Sequence, residues 1–224
     1  MNIDVLTLFP GWFDWFLEQR HVRNAVEGGL ALETVDMRAT TPSAAGKVDD
    51  SPYGGGAGMV IRVDVVDAAL GERYGQDAAE VKRGRRVIAL AAGGRQFDDA
   101  LARELAEQGR DLTLLCGRYE GFDERVNEHL ASDVVSIGPY VLSGGELGAM
   151  VVCDAVTRKL PGALGHAKSA HEESFSPVLG GAPEYPHYTR PVEWRGHRVP
   201  DVLLSGNHAE IVAWRLARSR ERGG

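Results

Sequence analysis

Three glycine-rich segments each follow an apolar run typical of a β-strand, and these segments are well suited to binding a small ligand. They are AAGG at Ala91–Gly94, CGRYEGFDERV at Cys116–Val126 and SIGPYVLSGGE at Ser136–Glu146. Glycine lets backbone N–H and C=O groups approach a ligand closely, which suits an adenine edge that is read without charged side chains. Neither GxxxxGK[ST] nor GxGxxG occurs, so both nucleotide-binding fingerprints are missing. Spacing alone leaves open a ligand pocket or a set of tight turns.

The chain around these glycines alternates between β-type apolar runs and amphipathic helical stretches. The pattern predicts strands at 3–9, 30–37, 86–91, 112–116 and 134–137, and helices at 12–20, 63–72, 98–108, 123–130 and 146–159. Repeated βα units predict an α/β fold with a mostly parallel sheet and helices on both faces. The ligand crevice of such a sheet lies at the carboxyl ends of its strands, where the three glycine segments stand.

The last third of the chain differs from the rest in composition and in periodicity. Residues 161–200 are rich in Gly, Pro, His and aromatic residues and lack periodicity, which is typical of a functional or disordered connection. Asn207 and Glu210 have the spacing of a capping box, which predicts a helix from Asn207 to about Arg220. The sequence therefore predicts a domain over residues 1–160, a linker over 161–175 and a small helical domain over 176–224.

Composition limits the class of protein. No apolar run approaches the roughly 18 residues of a membrane span, and the N-terminus does not resemble a signal peptide, so we expect a soluble, cytoplasmic protein without a membrane partner. Cys116 and Cys153 lie far apart in the sequence and are expected to be reduced, buried thiols rather than metal ligands. Residues 1–156 hold 15 Lys and Arg against 25 Asp and Glu, whereas residues 157–224 hold 10 against 7. Contact with a phosphate backbone should therefore favour the C-terminal third.

Several long segments, in the same order along the chain, resemble the bacterial tRNA (guanine-N1)-methyltransferases. They are VDDSPYGGGAGM, CGRYEGFDERV, SIGPYVLSGGE, LPGALGH, YPHYTRP and VLLSGNHAEI, and the resemblance extends from residue 3 to about residue 220. It implies a methyltransferase of the SPOUT class, with a deep trefoil knot in the α/β domain and a homodimeric assembly. It also implies methyl transfer from S-adenosylmethionine to N1 of guanine 37 of tRNA, 3′ of the anticodon.

The resemblance also implies a site for the methyl donor. The donor should lie in the knot and be held mainly by backbone atoms. The residues expected to bind it are Leu90, Gly117, Ile137, Gly138, Pro139, Tyr140, Val141, Leu142, Gly144 and Gly145. Pro139 stands where the family usually has an aspartate, so any interaction through that carboxylate or its backbone N–H must be missing or replaced.

Roles in the chemistry are implied in the same way. Methylation of a ring nitrogen requires a base and a group that stabilises negative charge. Glu173 stands at the position of the family's catalytic aspartate, with one more methylene, and Arg158 matches the arginine that stabilises charge on the guanine oxygen. Asp49 and Asp50 either act on the guanine or cap the glycine loop, and Glu120 should lie where guanine enters. The tRNA backbone is expected to meet Arg190, Arg195, Arg215 and Arg218.

Two other readings remain open from the sequence. One is a knotted methyltransferase that acts on a ribose 2′-hydroxyl, against which the YPHYTRP and GNHAEI segments speak. The other is a non-catalytic RNA-binding dimer that keeps the donor pocket but has no working base at Glu173. No metal ligands are predicted, and the sequence does not indicate whether a divalent ion assists.

Overall fold

A computed structural model describes residues 1–164 and 173–223. The chain divides into two compact units, Met1–Gly165 and His166–Gly224. The first contains strands β1 (Asn2–Thr7), β2 (Ala31–Asp36), β3 (Asp49–Asp50), β4 (Val60–Ile61), β5 (Arg86–Gln96), β6 (Leu112–Cys116) and β7 (Asp133–Ser136). The second contains β8 (Glu193–Trp194) and β9 (His197–Arg198). The α-helices are α1 (Asp14–Leu17), α2 (Arg20–Glu27), α3 (Val63–Tyr74), α4 (Ala78–Gly84), α5 (Asp99–Gln108), α6 (Glu146–Lys159) and, in the second unit, α7 (His208–Gly223).

The central sheet has five strands in the order β2-β1-β6-β5-β7, and every pairing in it is parallel. Strands β1 and β6 and the first half of β5 are buried on both faces, and successive side chains alternate between two apolar clusters. On β1, Ile3 and Val5 join one cluster with residues of α1, α2, α5 and α6, whereas Leu6 joins the other with residues of α3 and α4. This alternation follows from the period of two along a strand. The predicted parallel α/β fold with helices on both faces is confirmed.

The predicted helix over residues 12–20 is wrong. A 3-10 turn at Pro10–Phe13 leads into α1, and Gln19 is extended before α2 begins. A straight helix that buries Phe13 and Phe16 would turn Arg20 and Arg23 towards the core. The break instead allows Val22 and Ala25 of α2 to pack in the same cluster.

The helix predicted over residues 123–130 is present from residue 124 to residue 130, and its larger part, Val126–Leu130, is π-helical rather than α-helical. The preceding backbone is engaged elsewhere, because Phe122 forms a parallel bridge with Ile61 and the Asp123 N–H donates to the Ile61 carbonyl at 2.9 Å.

Strand β5 runs beyond its predicted end at Ala91 to Gln96, so AAGG lies within a strand rather than in a turn. The pairing of β5 with β7 shifts register between Leu90 and Arg95. A Cβ on Gly94 would lie 2.6 Å from the Val134 carbonyl carbon, so glycine is what allows the two backbones to approach here.

Several other local expectations agree with the structure. Helix α6 has the predicted bounds, and α5 occupies its predicted range after Asp98, whose side chain caps it by accepting from the Leu101 N–H at 2.8 Å. Both cysteines are free and buried; burial raises the pKa of Cys116 well above its usual range and that of Cys153 to about 12. No helix within residues 1–164 and 173–223 is long and apolar enough to cross a membrane.

The second unit consists of short pieces of structure before one long helix. Strands β8 and β9 form an antiparallel hairpin, and 3-10 turns occur at Pro177–Leu179 and Asp201–Leu203. Half of the expected capping box is present before α7: the Asn207 side chain accepts from the Glu210 N–H at 3.4 Å. In the other half of a capping box the Glu210 side chain would accept from the Asn207 N–H. Here that N–H donates to Ser205 Oγ instead.

Candidate functional site

A cavity of about 630 Å³ lies beside the middle of β5, at Leu90–Gly93, and at the carboxyl ends of β6 and β7. This volume is in the range of pockets that enclose a small ligand. Nine of the ten residues expected to bind the donor line it, together with Glu120: Leu90, Gly117, Ile137, Gly138, Tyr140, Val141, Leu142, Gly144 and Gly145. Pro139 is not among the lining residues. The three glycine segments thus meet where a doubly wound sheet places its ligand.

The end of β6 and the start of α6 are held backbone to backbone on one wall of this cavity. The Gly145 N–H donates to the Gly117 carbonyl at 2.8 Å, and Arg118 and Gly144 form an antiparallel bridge. A Cβ on Gly145 would lie 2.8 Å from the Cys116 Cα and 3.0 Å from the Gly117 nitrogen. Glycine is therefore needed at 145 for the two segments to approach.

The segment after β7 is organised by a local set of hydrogen bonds. Ser136 Oγ donates to the Gly138 carbonyl at 3.0 Å, and the Tyr140 hydroxyl donates to the Ile137 carbonyl at 3.1 Å. The ring of Tyr140 covers Gly138 where a side chain would otherwise project. Val141 stays highly exposed. These hydrogen bonds fix the shape of the turn.

A buried ion pair joins the cavity to the first strand of the sheet. Arg118 Nε lies 3.0 Å from Glu146 Oε2, and the Glu146 side chain is 1% exposed. The other carboxylate oxygen of Glu146 accepts from Thr7 Oγ1 at 2.8 Å. Glu146 therefore fixes Arg118 relative to β1.

The Arg118 guanidinium is also enclosed by aromatic rings. Its central carbon lies 4.3 Å from the ring centroid of Phe9 and 4.7 Å from that of Trp12. Nη1 donates to the Ser143 carbonyl at 3.3 Å, whereas Nη2 is buried without a hydrogen-bond partner in the described part of the chain. Sequence reasoning did not assign a role to Arg118, because a single sequence does not indicate that Arg118, Glu146 and Thr7 meet.

Removing the charge of Glu146 tests the importance of this ion pair. We expect Glu146→Gln to lower the free energy of unfolding by about 3 kcal/mol, since it leaves the Arg118 charge buried without its counterion. Urea unfolding measures the change. Asp64→Asn is the matched control, because it removes an acid from the more exposed pair with Arg62 and should cost less than about 1 kcal/mol. Equal losses in the two variants would contradict the assignment.

Of the acidic residues near the glycine loop, Glu120 lines the cavity, whereas Asp49 and Asp50 do not. Asp49 and Asp50 form β3, which pairs with β4, and neither lines the cavity. The Glu120 side chain occupies the space where Gly58 lacks a Cβ, and the Glu120 N–H donates to the Met59 carbonyl at 3.0 Å. The loop that follows Asp50 is therefore attached to the rim of the cavity through Glu120.

The two residues expected to share the proton chemistry lie in different units of the chain. Arg158 is in the last turn of α6, is partly exposed and does not line the cavity. Glu173 is the first described residue of the second unit and is partly exposed. Residues 165–172, which belong to the expected linker over 161–175, lie outside the described residues.

The four arginines expected to meet tRNA all lie in the second unit. Arg190 and Arg195 are exposed. Arg215 lies over the ring of Tyr185 at 4.8 Å, and Arg218 pairs with Glu221 and lies 5.8 Å from the ring centroid of Trp214. Arg218 is therefore partly neutralised.

The cavity fits a nucleoside that carries an amino-acid tail, such as S-adenosylmethionine. Its walls combine the glycine backbone at 117, 144 and 145 with the aliphatic side chains of Leu90, Ile137 and Leu142. The Nη2 group of Arg118 is a buried donor that has no acceptor among the described residues. A carboxylate of the ligand would supply that acceptor. No group of three or more His, Cys, Asp or Glu that could hold a metal ion occurs within residues 1–164 and 173–223.

Comparison with known proteins agrees with a cavity that binds a methyl donor. The family model described as tRNA (Guanine-1)-methyltransferase TrmD matches residues 1–224. The chain belongs to this family. The resemblance inferred from the motifs is thereby confirmed, and membership of the tRNA (guanine-1)-methyltransferase family implies S-adenosylmethionine as methyl donor and tRNA as substrate.

Individual members of the tRNA (guanine-1)-methyltransferase family are similar along nearly the whole chain. The protein of Geobacter metallireducens is 48% identical over 223 residues, which cover 99% of this chain and 87% of the relative. That of Rhodospirillum rubrum is 50% identical over 218 residues, covering 97% and 87%. That of Geobacillus kaustophilus is 45% identical over 223 residues, covering 99% and 88%. All three are named tRNA (guanine-N(1)-)-methyltransferase.

Proposed function

We propose that this chain acts in the cytoplasm and transfers a methyl group from S-adenosylmethionine to N1 of guanine 37 of tRNA. The observation that carries the proposal is the cavity beside β5 and the carboxyl ends of β6 and β7, lined by segments through which the chain resembles its family. The family match over residues 1–224 supports the same reaction.

Acidic and basic side chains have distinct roles in this reaction. Glu173 takes the proton from guanine N1, and the electron pair left on N1 forms the new bond to the methyl carbon. Arg158 stabilises the negative charge that develops on the guanine oxygen as the proton leaves. Asp49 assists at the reacting guanine and Asp50 positions it, with Glu120 at the rim. The bound donor supplies the electrophilic methyl group, and the broken carbon–sulfur bond leaves its electron pair on sulfur.

Nucleoside analysis tests this function directly. The full chain is incubated with unmodified tRNA and methyl-labelled donor, and the digest is expected to contain N1-methylguanosine, which disappears when guanine 37 is replaced by adenine. A label on a ribose oxygen would instead indicate a 2′-hydroxyl methyltransferase. Binding of donor and tRNA without any labelled nucleoside would indicate a non-catalytic RNA-binding dimer.

We propose further that residues 1–160 form a knotted donor-binding domain and that residues 176–224 form a small tRNA-binding domain, joined by a linker over 161–175. The return of the chain after β7 supports the knot: the backbone at 144–145 bonds to that at 117–118, far back in the sequence. Protein chains rarely thread through their own loops, and the periodicity of the sequence does not indicate a knot.

We propose that the protein is a homodimer, with a second copy covering the outer face of α6. Leu147 and Val151, one helical turn apart, are 47% and 44% exposed although most of α6 is buried. Val141 and Leu142 add exposed aliphatic side chains from the segment that lines the cavity. A symmetric contact between copies would remove this apolar surface from water.

Sedimentation tests the dimer. At micromolar concentration the chain is expected to sediment at twice its mass of 24.2 kDa, and Val151→Glu should shift it to the monomer and abolish methylation, because burying an unpaired carboxylate is costly. Val26→Glu, at an exposed valine of α2, is the control and should remain dimeric. A fully active wild-type species of 24.2 kDa would contradict the proposal.

Docking of tRNA is expected to depend on the four arginines of the second unit. Replacing Arg190, Arg195, Arg215 and Arg218 by alanine should reduce the slope of log affinity against log salt by about one for each phosphate group that is no longer bound. Arg218 should contribute less than the others because Glu221 already pairs with it. Arg83→Ala, an exposed arginine of α4, is the control. If affinity and salt dependence were unchanged in the quadruple variant, tRNA would dock elsewhere.

A further inference from the structure

The hairpin of β8 and β9 is fully exposed within the second unit. Glu193 pairs with Arg198 and Trp194 with His197, and the Val199 N–H extends the ladder by donating to the Val192 carbonyl at 2.9 Å. All six residues from 193 to 198 are exposed. The sequence presented at this surface, EWRGHR, is aromatic and basic.

The tip of this hairpin carries an arginine in a conformation that arginine disfavours. Arg195 has φ +52° and Gly196 has φ +82°, as in a two-residue type I′ turn. Glycine or asparagine usually occupies the first of these positions, because a longer side chain with a Cβ is strained there. A residue kept in a strained conformation points to a use for its side chain. Here that side chain is a guanidinium at the tip of a hairpin.

Trp194 stands beside this arginine with most of its ring in solvent. The residue is 59% exposed, the Arg195 guanidinium lies 5.0 Å from the ring centroid, and the His197 ring lies 6.3 Å away at 31°. Aromatic side chains next to cations are the platforms on which unpaired nucleobases stack. The hairpin therefore offers both an aromatic face and a positive charge.

Charge favours RNA as the occupant of this surface. Residues 157–224 hold 10 basic against 7 acidic residues, whereas the rest of the chain is acidic. Arg198 is paired with Asp201, but Arg195 has no carboxylate partner within residues 1–164 and 173–223. The positive charge at the tip thus remains available for a phosphate.

We infer that this hairpin binds an unpaired nucleotide of the tRNA substrate. Trp194 stacks on the base and Arg195 contacts the adjacent phosphate. The inference rests on the proposed function, because it takes tRNA as the substrate, and it adds a contact that recognises single-stranded rather than paired nucleotides.

Equilibrium binding of full-length protein to unmodified tRNA tests the stacking contact. Trp194→Ala is expected to weaken tRNA binding about tenfold or more, and Trp194→Phe should keep most of the affinity. Trp15→Ala is the matched control, because Trp15 of α1 is 57% exposed and lies outside the hairpin. Donor affinity and the single-turnover rate at saturating tRNA should be unchanged in all three. Binding to a blunt RNA duplex should not respond to Trp194→Ala.

Arg195→Gly separates a binding role from a structural one. Glycine relieves the backbone strain, so the melting temperature should stay the same or rise, while tRNA affinity falls and the salt slope decreases by about 0.9. A purely structural role predicts the same gain in stability with unchanged tRNA affinity.

The outcomes distinguish this inference from the proposed function. Wild-type methylation of guanine 37 together with normal tRNA affinity of Trp194→Ala would overturn the inference and leave the function intact. An equal decrease in affinity for tRNA and for the duplex would also overturn it, since stacking requires an unpaired base. If the wild-type chain bound no tRNA, both would fail.

Discussion

Glu173→Gln is expected to lower the single-turnover rate of methyl transfer about a hundredfold or more, with donor affinity almost unchanged. An amide keeps the size of the side chain but does not accept the N1 proton. Single-turnover assays with saturating tRNA and donor measure the effect, and calorimetry measures donor binding. Glu107→Gln, at an exposed position of α5, is the control and should methylate at the wild-type rate.

Arg158→Ala is expected to reduce the rate by a similar factor, because proton removal by a carboxylate is uphill unless charge on the guanine oxygen is stabilised. If the two residues act as a unit, the double variant should be much more active than the product of the two single reductions predicts. Glu173→Asp restores the residue usual in the family and should retain substantial activity. Wild-type rates for Glu173→Gln across pH 6 to 9 would contradict the assignment and make Asp49, or Glu172, which lies outside the described residues, the next candidate.

Gly145→Ala is expected to have the largest effect on donor binding. The added methyl group would lie 2.8 Å from the Cys116 Cα and 3.0 Å from the Gly117 nitrogen, so backbone rather than a flexible side chain must move. Overpacking of this kind costs about 1–3 kcal/mol. Because Gly117 lines the cavity, donor affinity should fall tenfold or more in calorimetry.

Two further glycine variants show whether the effect on donor affinity depends on which glycine is replaced. Gly84→Ala, at the end of α4, meets no atom within 4 Å, so it should leave donor affinity unchanged and keep or raise the melting temperature. At Gly144 a Cβ would instead meet the side chains of Arg118 and Glu146, so Gly144→Ala should disturb the ion pair as well. Wild-type donor affinity in a folded Gly145→Ala protein would refute the close-approach argument.

Local patterns in the sequence were sufficient for much of the fold. Apolar runs and amphipathic stretches are properties of neighbouring residues, and they predict β6, α5 and the bounds of α6. The glycine segments also predict a ligand crevice at the carboxyl ends of the strands, where the cavity is found. The family itself was identified from motifs that a single sequence contains.

Tertiary structure decided what depends on residues far apart in the chain. The break between α1 and α2 follows from which side chains the core accepts, and the helix that ends at Leu130 begins only after the bridge between Phe122 and Ile61. The extension of β5 depends on the close approach of β7 at Gly94. Thr7 and Glu146, 139 positions apart, meet because β1 lies next to β6 in the sheet and Arg118 follows the end of β6. Periodicity and capping act over a few residues, so they specify elements, whereas the contacts that build the site arise only when the packed sheet brings distant elements together.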